Sequence, residues 1–205
     1  MSVLGMLMSA MIVYILHDNA YYMIIRIFRK KQGTSKLPDV IHYFDIQRLA
    51  LTYFLHYGWR SSESFLYENS EELRGGRVTV FFLQLLHPAL YWMFSMIIVM
   101  IATQTSGMLP AFLRVYLQFM ALFSFNMMIL MLIPIPPLAM GNALMSFYAS
   151  KKYQYQRKQI HFYGQILLVG LVITLALIGG GASLVEYFST TLALGVEMLL
   201  DLMNR

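Results

Sequence analysis

The sequence predicts an all-α fold: a polytopic membrane helix bundle of about four to six transmembrane segments, with a re-entrant segment and one helix broken by prolines. Three observations predict it. Of the 205 residues, 59% are hydrophobic and only 12% charged, with a mean hydropathy of +0.60. A soluble domain carries about 25% charged residues, so this chain lacks the polar surface to face water everywhere. Several apolar stretches reach the roughly 20 residues a helix needs to cross the hydrocarbon core. The basic residues, finally, fall in clusters between those stretches on one side only. The net charge of +5 therefore follows a membrane pattern and does not point to nucleic acid. There is no cysteine, which excludes disulfides and thiolate metal sites.

Taken in order, the first stretch is Met1–Phe28. It is apolar from its first residue, has no basic region ahead and no small-residue cleavage site, and so reads as a retained span, not a signal peptide. The run Ile46–Trp59 contains Arg48 and His56 and is too short to span easily, which suggests a re-entrant or interfacial segment. Val78–Thr103 forms the second span, Pro110–Leu132 with a continuation to Tyr148 the third, and Phe162–Ile178 the fourth. Ala182–Met203 is apolar but interrupted by Glu186, Glu197 and Asp201, so it reads as a final span or an interfacial helix. Without an internal repeat or a low-complexity linker, residues 1–205 form a single transmembrane domain.

Orientation follows from the basic clusters. Arg26, Arg29, Lys30, Lys31 and Lys36 follow the first span, Arg74 and Arg77 precede the second, and Lys151, Lys152, Arg157 and Lys158 follow the third. The positive-inside rule makes all of these cytoplasmic and the N-terminus external. The acidic residues Glu63, Glu68, Glu71 and Glu72 share a cytoplasmic loop, where solvation is sufficient reason for them.

Three features interrupt the apolar pattern. His17-Asp18-Asn19 lies inside the first span, where ionisable residues are costly and face a partner or a cavity. Ile133-Pro134-Ile135-Pro136-Pro137-Leu138 breaks the third stretch and frees carbonyls that must be satisfied within protein. His87-Pro88 sits inside the second span. Each has an ordinary structural reading as well: interhelical hydrogen bonds, a loop between helices, and a packing histidine.

In order and spacing these features resemble the small prokaryotic branch of the site-2 intramembrane metalloproteases, the M50 peptidases. That family carries HExxH in its first core helix, then a linker and a short hydrophobic segment ending in Gly-Trp. A helix with Ala-Gly-Pro near its start follows, and then a helix ending in Asn-x-x-Pro-x-Pro-Pro-Leu-Asp-Gly. Here Gly33-Thr34 opens the linker, Phe44-Asp45-Ile46 begins the short segment, and Gly58-Trp59 closes it. Leu86-His87-Pro88 falls at the Ala-Gly-Pro position, Pro134 to Leu138 match the Pro-x-Pro-Pro-Leu core, and Tyr163-Gly164 opens the last helix. The resemblance implies a prokaryotic plasma membrane and an ancestral activity of intramembrane metalloendopeptidase.

The departures concern the metal. The family's zinc is held by both histidines of HExxH, which share a helix face at i and i+4, and by the aspartate after Pro-Pro-Leu. Those positions are His17, Tyr21 and Ala139 here, and the general-base glutamate is Asp18. A catalytic zinc needs three protein ligands and a water. One imidazole, a phenol with an ordinary pKa of about 10 and a methyl group do not supply them. The asparagine before the prolines is Met131. The expectation is a pseudoprotease with no catalytic residue and no metal cofactor. It would bind the lipid bilayer and hold a partner's transmembrane helix in a groove at Pro134, Pro136, Pro137 and Leu138. Two alternatives stand beside it. One is an atypical hydrolase with a metal site rebuilt from His17, His56 and His87, a set compatible with zinc or iron. The other is a structural subunit of a membrane complex.

Overall fold

The computed structural model describes residues 3–28, 46–55, 58–59, 73–105, 107–148 and 151–178. Among these residues the chain is mostly helical and has no β-strand. The order is α1 (Val3–Phe28), α2 (Ile46–Leu55), α3 (Gly76–Gln104), α4 (Ala111–Met131), α5 (Ala139–Met145) and α6 (Gln154–Ile178). Short 3-10 turns at Ser146–Tyr148 and Lys151–Tyr153 join the last two. The linker at Gly33-Thr34, the acidic loop and the stretch Ala182–Met203 lie outside the described residues.

Among the described residues two helices, α3 and α4, are long and apolar enough to cross a bilayer. With 29 and 21 residues they measure about 43 and 31 Å at 1.5 Å per residue, against a hydrocarbon core of about 30 Å. They pack against each other, and α3 also packs against α1 and α5. Helices α1 and α6 have the length but carry polar residues: His17-Asp18-Asn19 and Arg26 in one, the first turns from Gln154 in the other.

Local chemistry explains where these helices begin and end. Gly75 and Gly76 hold φ of +85° and +56°, a left-handed geometry that suits glycine, and so turn the chain into α3. The Arg74 N–H donates to the Phe28 carbonyl (2.8 Å), which brings the end of α1 level with the start of α3. Pro110 precedes α4, where its missing N–H costs nothing. The third apolar stretch breaks where the prolines lie: α4 stops at Met131 and the chain turns through Leu132–Leu138 before α5. The Pro136–Pro137 peptide bond is cis.

The last helix differs from the sequence expectation. It starts at Gln154, eight residues before Phe162, and Arg157 and Lys158 are helical instead of lying in a loop. Hydropathy marks the apolar part of a helix, not its first hydrogen-bonded turn, and Gln154–Gln159 continue the same ladder with polar side chains. Arg157 is buried and donates to the Tyr148 carbonyl (2.7 Å), which ties that first turn to the end of the preceding segment.

Several polar side chains face inward while many large apolar ones face outward. On α1, Leu4, Met8, Ile12 and Leu16 form an exposed stripe at i+4 spacing, while Ser9, His17 and Asp18 are buried. The interior has two apolar clusters. One gathers Val13, Tyr14, Trp59, Tyr91, Met127, Leu138 and Ala139, and the other Tyr21, Ile25, Leu73, Leu83 and Leu90. His17 lies between Tyr91 of the first and Tyr21 of the second, stacked on both rings.

Candidate functional site: a closed polar network

Four positions on α1, Tyr14, His17, Asp18 and Tyr21, follow the spacing i, i+3, i+4 and i+7 and so share one helix face. All four are buried, with His17 at 1% and Asp18 at 5% exposure. Helix α2 brings Arg48 against this face, and α3 brings His87 and Tyr91, again four residues apart.

The Arg48 guanidinium organises the centre. Its Nη1 donates to Asp18 Oδ2 (3.0 Å) and its Nη2 to Tyr91 Oη (2.6 Å), while its Cζ lies 3.6 Å from the centroid of the Tyr14 ring. Arginine stays charged at any ordinary pH, so burial to 4% exposure requires an opposite charge and hydrogen-bond acceptors. Asp18 supplies the charge, and the Tyr14 face adds a cation–π contact. Thr52 Oγ1 donates to the Arg48 carbonyl (2.8 Å), so Tyr14 is the donor in its 2.8 Å contact with Thr52. A single residue, Arg48, thus fastens α2 to both α1 and α3.

Asp18 has a second partner. Its Oδ1 lies 2.9 Å from His17 Nδ1, and an ionised carboxylate only accepts, so the imidazole donates there. The neutral ring then offers Nε2 as an acceptor, and His87 Nδ1 stands 3.2 Å away to donate to it. Both ring nitrogens of His17 are engaged. The Tyr91 ring stacks on His17 at 3.9 Å and 9°, and the Tyr21 and His87 rings lie 3.7 Å apart. Asp18, His17 and His87 form a continuous hydrogen-bonded row with Arg48 at one end.

No family model, curated protein or solved structure matches the chain.

The residues do not fit a zinc site of the kind the sequence resemblance implies. Ala139 offers no donor atom and is 2% exposed within apolar packing. His17 has no lone pair left over, and Asp18 is neutralised by Arg48. Among the described residues no three His, Cys, Asp or Glu side chains converge on a metal-sized site. Of the rebuilt set, His17 and His87 meet, whereas His56 lies outside the described residues.

The proline turn is held from several directions. Asn142 Nδ2 donates to the Pro137 carbonyl (2.8 Å), satisfying one of the acceptors the prolines free. Gly141 and Gly164 both approach Pro136 so closely that a Cβ on either would clash with its backbone. Pro134 is exposed, Pro136 is half-buried, and Pro137 and Leu138 are buried. Of these four, Pro134 presents accessible surface and the other three shape the turn.

Arg48 and Tyr91, with Tyr14 and Thr52 beside them, are network residues that motif reasoning missed. An arginine inside an apolar run is itself a signal, because an intramembrane cation seeks a carboxylate at the same depth. Asp18 is the one carboxylate of the first apolar stretch. Tyr91 could have been found from its i+4 relation to His87.

Proposed function

We propose that this chain is an integral membrane protein with a site-2-protease-like bundle, and that it holds a transmembrane segment of a partner without cutting it. The observation that carries this reading is the closed network: the positions where the resemblance expects zinc ligands and a general base are occupied by an ion pair and stacked rings. Asp18 cannot serve as a free base while it bonds Arg48 and His17, and His17 has both nitrogens occupied. The outward apolar stripe of α1 and the two long apolar helices support residence in a bilayer. Four to six spans, a re-entrant α2 and an external N-terminus belong to this same reading. A buried arginine on the short α2 supports its lying against the bundle at depth, and the positive-inside rule supports the orientation.

The proline turn would be the contact. Its exposed Pro134 sits on a backbone fixed by Asn142, Gly141 and Gly164, and a preorganised surface loses little freedom on docking. A photo-crosslinker at Pro134 in cells should capture a discrete membrane protein, and one at Arg114 on the other end of α4 should not. Equal, diffuse labelling from both positions would count against the turn as a docking site.

A second reading, an atypical hydrolase with a rebuilt metal site, draws on the 3.2 Å approach of His17 and His87. It requires His87 to exchange its hydrogen bond for a metal bond and a further ligand to join from elsewhere.

A further inference from the structure

Between the end of α1 and the start of α3 runs an open groove of about 360 Å³, lined by Ile24, Phe28, Thr79, Phe82, Leu83 and Leu86. We propose that this groove binds the acyl chain of an anionic phospholipid, with the phosphate held by the arginines at its mouth. The inference rests on the membrane reading above.

The geometry gives the groove a polar end and an apolar end. Arg74 N–H bonds the Phe28 carbonyl, so Arg74 stands at the end of the groove where Phe28 and Thr79 lie. Thr79 Oγ1 in turn donates to the Arg74 carbonyl. From Thr79 to Leu86 the lining extends about 10 Å along α3 at 1.5 Å per residue, with no charged side chain. Leu86 adjoins His87, so the groove leads from the basic level toward the buried network.

Charge selects the occupant. Arg26, Arg74 and Arg77 are exposed, and none of them forms an ion pair among the described residues. In sequence, Arg29, Lys30 and Lys31 follow directly on Phe28. Three exposed arginines, Arg26, Arg74 and Arg77, thus lie at the level of the mouth. A partner helix or a second copy would gain from the apolar wall but not from this cationic rim. A lipid with one apolar tail in the groove and a phosphate at its mouth uses both. Basic residues at a bilayer surface attract anionic headgroups, and each contributes about a fivefold preference.

The test uses the full chain reconstituted in phosphatidylcholine vesicles that contain a small fraction of brominated-chain phosphatidylglycerol or brominated-chain phosphatidylcholine. A Phe82→Trp variant reports from the groove, read as the quenching beyond that of the parent with Trp59 and Trp92. The expected result is quenching at a much lower fraction of phosphatidylglycerol than of phosphatidylcholine. Arg74→Ala with Arg77→Ala should reduce that preference on the order of thirtyfold, while Arg114→Ala on α4 should leave it unchanged. Equal quenching by the two lipids overturns the proposal, as does quenching by neither, which would mean that protein covers the groove. Extraction of the chain from vesicles by an alkaline wash would instead remove the membrane reading itself, so the two failures are distinguishable.

Discussion

Replacing Arg48 with methionine keeps an unbranched stem against Tyr14 but removes the cation from the centre of the network. The structure sets the size of the effect. Asp18 is 5% exposed and would be left with His17 alone as a partner, while Tyr91 Oη would lose a 2.6 Å donor. Breaking a buried ion pair by removing one member costs about 3–5 kcal/mol, because the remaining charge is left uncompensated. For a chain of this length that corresponds to a fall in Tm on the order of 10 °C. Intrinsic fluorescence of the buried Trp59 in mild detergent reports the transition. Asp18→Asn in the same background removes the orphaned charge, so the double variant should be more stable than Arg48→Met alone, with a coupling of at least about 2 kcal/mol. A loss below about 1 kcal/mol for Arg48→Met, or strict additivity in the cycle, would refute the ion pair as the fastening of α2.

Asn142→Ala should cost about 1–3 kcal/mol, since the buried Pro137 carbonyl loses its donor; thermal unfolding checks this. Gly164→Ala should destabilise by a similar or larger amount, because the new methyl group meets the Pro136 carbonyl oxygen, whereas Gly170→Ala, which meets nothing within 4 Å, should be tolerated. The chain has no cysteine, so single-cysteine reporters are unambiguous. An impermeant thiol reagent added to intact cells should label Ser106→Cys and spare Ser35→Cys, and labelling of both would overturn the proposed orientation.

Much of the interior was legible in the sequence because burying polar groups in an apolar chain leaves few arrangements. His17, Asp18 and Tyr21 had to face inward together, given their spacing on one helix, and they do. The proline run had to interrupt the third stretch, and α4 does end at Met131. What the sequence hid was pairing between elements. Nothing local to Ile46–Trp59 states that Arg48 meets Asp18, because that contact depends on how α2 docks. The first turns of α6 were missed for a different reason: polar residues continue a helix as readily as apolar ones, so a hydropathy boundary is not a helix boundary. The expectation of about four to six transmembrane segments also reached further than helix length and hydropathy do, which single out α3 and α4 among the described residues.

Metal content of the purified chain tests the central proposal most directly. Protein isolated in mild detergent, exposed to zinc and then washed free of loose ions, should hold far less than stoichiometric zinc by elemental analysis. His17→Ala should not change that figure, since His17 serves the Asp18–His87 row and not a ligand set. A full equivalent of zinc that disappears in His17→Ala or His87→Ala would contradict the proposal and favour the rebuilt metal site.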